Sequence, residues 1–188
     1  MLYFRPLWGE VCVKIDLSKI EGEPKTFAET FELGEDRLDP DRIAGRMKIH
    51  LEGNVRPIGD HFYVDGRLTA AGKVSCGRCL EPVDWQTESD FNLEVALAKT
   101  VPLDPEIALE EADLDLMYLQ EPILELEELA IEQVELELPI RVLCSEECAG
   151  LCPRCGANRN VEGACRCEPE TDPRWAALKD LAGQDPVD

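Results

Sequence analysis

At 188 residues, with 40 acidic and 19 basic side chains, the chain carries a formal charge of −21. That balance argues against broad contact with nucleic-acid phosphates and favours basic partners. A hydrophobic content of 44% is enough for a buried core, yet no apolar run approaches the ~20 residues of a membrane helix. The opening "MLYFRPLWGEVCVKIDL" makes a poor signal peptide, so the expected compartment is the cytoplasm. Disulfides are disfavoured there, and nine cysteines do not close a disulfide framework; they point instead to metal or redox chemistry.

In chain order, "VCVKIDLSKI" (11–20) alternates as a strand does, and "EGEPKTFAETFEL", broken by Pro24, leads into a second extended piece. "RMKIHLEGNV" (46–55) sends Met47, Ile49, Leu51 and Val55 toward one side. The turn-like "RPIGD" separates it from "HFYVDGRLTAAGKVS" (61–75), and "PVDWQTESDFNLEVALA" (82–98) continues the extended pattern. Cys76 and Cys79 are thereby expected at the tip between two neighbouring strands. From Val101 to Ile140 there are 13 acidic residues and no basic one. "VPLDPEIALEEADLD" reads as an acidic connection. "PILELEELAIEQVELELP" predicts a helix opening near Pro122 and ending before Pro139, with Ile123, Leu126, Leu129, Ala130 and Val134 inward. Glu125, Glu128, Glu132 and Glu135 take its other face, either as a solvated surface or as a dock for a basic partner. Past Cys167, Pro173 opens a short closing helix with Trp175, Leu178 and Leu181 on its apolar side.

The predicted fold class is therefore α+β. An antiparallel β-rich domain, meander or barrel-like, occupies 1–100 and carries the first CxxC. An acidic connection and helix follow over 101–140. A Cys-rich zinc-knuckle tail with a short terminal helix fills 141–188.

Eight of the nine cysteines come in short-spaced pairs: Cys76 with Cys79, Cys144 with Cys148, Cys152 with Cys155, and Cys165 with Cys167. A tight turn can offer two thiolates to one tetrahedral zinc, and eight ligands divide into two sites, so two zinc ions are expected. Chain economy groups Cys152, Cys155, Cys165 and Cys167, because nine residues separate those two pairs. Cys76, Cys79, Cys144 and Cys148 then form the other group. The single-residue spacing of Cys165 and Cys167 is tight, which leaves the membership of each group open. Cys12 stands alone and reads as a small core residue. Cys148, Cys152 and Cys155 share the spacing of radical iron–sulfur enzymes, but Arg154 replaces their usual aromatic and no β/α barrel is encoded. A thiol–disulfide enzyme would use Cys76 and Cys79, or Cys152 and Cys155, yet neither pair has a βαβ context. Arg154, Arg159 and Arg166, with the "NRN" at 158–160, could contact RNA or support the knuckle turns. His50 and His61 lie in strand-like runs without a short-spaced metal partner. No catalytic residues are assigned, since no triad order, phosphate loop or dinucleotide fingerprint is present.

"CGRCLEPV" (76–83), "LPIRVLCSEECAGLCPRCGANRN" (138–160), a CxC and "DPRWAALKDL" together resemble the YceD family, over roughly residues 15–182. The resemblance implies a non-enzymatic bacterial or organellar factor for large-subunit ribosomal RNA accumulation. It maps the family's cysteine motifs onto the eight paired residues above. Joined to the acidic surface, that role makes a basic ribosomal protein or an rRNA-processing factor the expected partner, with room for indirect or weak rRNA contact and no membrane. The alternatives are a zinc-knuckle RNA binder and a thiol redox protein.

Overall fold

The computed structural model describes residues 13–98 and 116–167 together with Arg174. Cys12, the acidic connection before Leu116 and the closing helix from Pro173 lie outside the described residues, except that Arg174 falls in the span of that helix. By compactness the chain divides into two units. One comprises the residues up to Gly77 with Glu81–Cys144; the other comprises Arg78–Leu80 with the residues from Ser145 onward.

The first unit is built on strands. In chain order these are β1 (Lys14–Asp16), β2 (Lys25–Leu33), β3 (Met47–Ile58), β4 (His61–Ser75), β5 (Pro82–Leu97), β6 (Leu116–Leu119) and β7 (Ile123–Glu125), followed by helix α1 (Leu126–Glu137). A five-stranded sheet runs β2-β3-β4-β5-β6, and β1 pairs with β7 in a separate two-stranded ladder. The predicted meander is present from β2 to β5, all antiparallel. The sheet as a whole is mixed, however, because β6 lies parallel to β5. A parallel return needs a crossover of about a dozen residues or more, and 18 residues separate Leu97 from Leu116.

Alternation sets the core. Met47, Ile49, Leu51 and Val55 of β3 are fully buried, as are Val64, Leu68 and Ala70 of β4, while residues between them face outward. The pattern breaks where Gly53 and Gly66 sit opposite each other, flanked in register by Phe27 on β2 and Phe91 on β5. A Cβ on Gly53 would come 2.9 Å from the Phe27 ring, and one on Gly66 would come 2.7 Å from the Phe91 ring. Two aromatic rings thus fill the space left by two absent side chains.

The predicted helix begins at Leu126, four residues past the Pro122 near which its sequence opens it. Pro122 does not open it: Ile123–Glu125 is extended and pairs with Lys14–Asp16, and Glu125 meets Lys14 rather than a helical neighbour. The N-cap Glu125 makes no side-chain cap, and the Leu126 amide at the start of the first turn donates to the Val13 carbonyl at 3.0 Å. Leu126, Leu129, Ala130 and Val134 are buried as their spacing implies, joined by Ile131 and Gln133. Packing holds α1, since Glu135 and Glu137 lie unfavourably in its last turn without a basic residue.

Candidate metal centre

β4 ends at Ser75 and β5 starts at Pro82, so the turn between them presents Cys76 and Cys79. That turn is closed by the Cys76 amide donating to the Glu81 carbonyl at 2.9 Å, with Leu80 in the left-handed region at φ 62°. The Gly77 amide donates to the Val142 carbonyl at 2.9 Å, and the Cys144 amide donates to the Cys76 sulfur at 3.4 Å. In the second unit the Arg78 guanidinium donates to the carbonyls of Cys148 and Glu146 at 2.8 and 3.3 Å. The Leu151 amide returns to the Arg78 carbonyl at 2.9 Å. Gly150 has φ 72°, and a Cβ there would press on that carbonyl at 2.9 Å, so both conformation and space demand glycine.

"CPRCG" forms a knuckle in which the Gly156 amide donates to the Cys152 carbonyl and the Cys152 amide to the Ala157 carbonyl, both at 2.9 Å. Gly156 supplies the left-handed turn at φ 73°. A bridge between Leu151 and Asn158 continues the knuckle.

These turns bring the sulfurs together in two groups of four, Cys76, Cys79, Cys144 and Cys148, and Cys152, Cys155, Cys165 and Cys167. Within each group the sulfurs lie within 4.8 Å of one another, and all eight cysteines are free thiols. Four sulfurs about 2.3 Å from a tetrahedral ion stand about 3.8 Å apart, so each group could hold one metal ion. Every expected site residue is therefore placed in a tetrad, in the grouping that chain economy suggests. Cys76, Cys79, Cys148 and Cys152 are buried, Cys165 and Cys167 half-buried, and Cys144 and Cys155 exposed.

Hydrogen bonds to sulfur polarise the second group. The Cys152 thiol is lowered to about 5, first by the Cys155 amide, then by the Arg154 amide and the Cys165 thiol 3.2 Å away. Cys167 is pushed up to about 12, first by its hydrogen bond with Cys155, then by Cys165 and burial. Thiols packed this closely oppose one another's ionisation, and a cation among them removes the conflict.

The supporting residues were harder to read. Asn160 donates from Nδ2 to the Cys148 sulfur at 3.2 Å and accepts the Ala149 amide on Oδ1 at 2.7 Å. Asn158 accepts from the Asn160 amide at 3.0 Å, and its own amide donates to Glu162 at 3.0 Å. The Arg159 guanidinium bonds to the Cys152 sulfur and, more weakly, to Cys165, which holds its proton more firmly still. "NRN" therefore supports the knuckle, one of the two roles its place beside the cysteines suggested. The histidines work elsewhere. His50 bonds to Thr30 at 3.0 Å, and His61 lies 2.6 Å from Glu94, whose other oxygen accepts the Tyr63 hydroxyl at 2.7 Å.

A family model described as "Large ribosomal RNA subunit accumulation protein YceD" matches residues 64–182, a span holding both tetrads. The chain belongs to the YceD family. The match begins within β4, so β1 to β3 precede it. An uncharacterized protein of Mycobacterium tuberculosis is 29% identical over 178 residues, covering 90% of this chain and 81% of that one. An uncharacterized protein of Mycobacterium leprae is 28% identical over 137 residues, covering 73% and 60%. The maize "Large ribosomal RNA subunit accumulation protein YCED homolog 1, chloroplastic" is 35% identical over 48 residues, covering 26% of this chain and 16% of the homolog. No solved structure matches the chain.

Proposed function

We propose that this YceD protein is a zinc-stabilised, non-enzymatic factor of the cytoplasm that promotes accumulation of large-subunit ribosomal RNA. Its partner in this reading is a basic ribosomal protein or rRNA-processing factor, and any rRNA contact is weak or indirect. The observation that carries the reading is the grouping of eight cysteines into two all-thiol tetrads inside a family named for that accumulation. Cys76, Cys79, Cys144 and Cys148 would hold one ion, and Cys152, Cys155, Cys165 and Cys167 the other. Four thiolates complete a tetrahedral shell and leave no position for substrate water, which is the donor set of a structural zinc. The charge of −21 favours a basic protein over direct phosphate contact. Among the described residues no helix is long and apolar enough to cross a membrane.

The acidified Cys152 is the one observation favouring a thiol redox protein. Cys152 is buried at 3% exposure, though, and the amides that acidify it suit a metal-bound thiolate equally well. Depletion of the protein from cells, with complementation by wild type or by Cys152→Ser, tests the main reading. The ratio of large- to small-subunit rRNA should fall on depletion and recover only with wild type. An unchanged ratio contradicts the role in accumulation.

A further inference from the structure

The first unit carries a groove of about 410 Å³ between the β6–β7 segment and α1. Its floor is apolar: Met117, Leu119, Ile123 and Leu129. Its rim is acidic, with Glu121, Glu125, Glu128 and Glu132 against a single lysine, Lys14. Glu125 is taken by Lys14, and Glu128 by Arg37 from outside the groove. Glu121 and Glu132 have no ion pair among the described residues. We propose that this groove docks a basic amphipathic segment of a partner protein, its apolar side chain on the floor and its lysines or arginines against Glu121 and Glu132. The proposal deepens the reading above by naming the surface and the partner's chemistry, and it rests on that reading.

The charge of the rim selects the occupant. Burial raises the Glu132 carboxyl above its ordinary range, and Glu128 and Glu135 add to the rise, so a cation arriving there relieves a repulsion already present. A second copy of the chain would bring its own −21 toward the same acids, and a nucleic acid would bring phosphates. A basic segment without an apolar face would leave the floor uncovered. A helix or turn with both features buries the floor and neutralises the rim together, and a methionine in the floor lets it adapt to the inserted side chain.

The test uses the full chain, purified with its metal, and a fluorescein-labelled amphipathic Leu/Lys peptide followed by anisotropy. Two ion pairs of ordinary strength are together worth about tenfold in affinity, so Glu121→Gln with Glu132→Gln should weaken binding about tenfold. Replacing the exposed Glu23 and Glu32 by Gln removes the same charge elsewhere and should cost less than about twofold at ordinary ionic strength. Leu119→Gln should also weaken binding, and at high salt should cost more than the rim variants. Equal losses from the rim and control pairs would show general charge attraction and overturn the proposal. So would tighter binding of a Leu/Glu peptide or an RNA duplex, or a chain dimer abolished by Glu132→Gln. Complementation separates the two readings. If the Glu121→Gln, Glu132→Gln chain restores the rRNA ratio in full, the groove is not the partner site and the accumulation role stands. If depletion of the whole protein leaves the ratio unmoved, the accumulation role itself fails.

Discussion

Asn160 offers a direct handle on the metal centre, because its two side-chain ends do separable work. Nδ2 donates to the Cys148 sulfur at 3.2 Å, and Oδ1 accepts the Ala149 amide at 2.7 Å. A hydrogen bond to an ionised partner contributes about 1.5–3 kcal/mol, and each 1.4 kcal/mol is tenfold in a binding constant. Losing the donor should then cost roughly 10- to 100-fold in zinc affinity, the range expected for residues that orient metal ligands. Asn160 is largely exposed, so water partly replaces its bond and the lower end, about tenfold, applies. Asn160→Ala removes both bonds, together with the Nδ2 bond to Asn158 Oδ1 at 3.1 Å. Asn160→Asp keeps the acceptor for Ala149 but sets a carboxylate against a thiolate, so it should bind zinc at least as poorly while leaving the Ala149 turn intact. Competition with a chromophoric chelator reads the affinity, and Val161→Ala, at an exposed neighbour, serves as the control. Affinities of both Asn160 variants within twofold of wild type would refute the outer-ligand role.

Two further predictions address the sheet. Gly66→Ala places a methyl against the Glu52 carbonyl and the Phe91 ring, an overpacking that should cost about 1–3 kcal/mol and lower the urea midpoint; an unchanged midpoint would contradict the ring-over-glycine packing. The Glu94 carboxyl is held below its ordinary range by His61 first and Tyr63 second. Its folded state therefore favours the deprotonated form, and the stability it contributes is present above the unfolded value near 4.5 and lost as pH falls through the lower folded value. Glu94→Gln should consequently lower Tm at pH 7, with the gap to wild type closing in acid; a gap that widens in acid would reverse the assigned sign.

The long strands were legible because their period of two persists. Residues 61–75 are read from the sequence with the same limits as β4, and Met47, Ile49, Leu51 and Val55 bury as their alternation requires. Short elements with distant partners were not. Ile123–Glu125 carries three residues of strand whose pairing partner lies more than a hundred positions earlier, and Pro122 is as acceptable before a helix as before a strand. Leu116–Leu119 is similarly hidden, since only its parallel partner on β5 makes it a strand. The cysteine pairs were readable because spacing limits which sulfurs one turn can present, whereas which pairs share a tetrad needed the fold. Support of the knuckle by Arg159 and Asn160 was one of two sequence readings, but their sulfur partners and the part played by Arg78 were not legible, because spacing does not tell where a polar side chain aims.

X-ray absorption at the zinc edge of the purified full chain, combined with elemental analysis, tests the central claim most directly. Two zinc ions per chain, each with four sulfurs near 2.3 Å and no nitrogen or oxygen ligand, is the predicted result. A folded chain with no zinc, or zinc bound through oxygen and nitrogen, would contradict it.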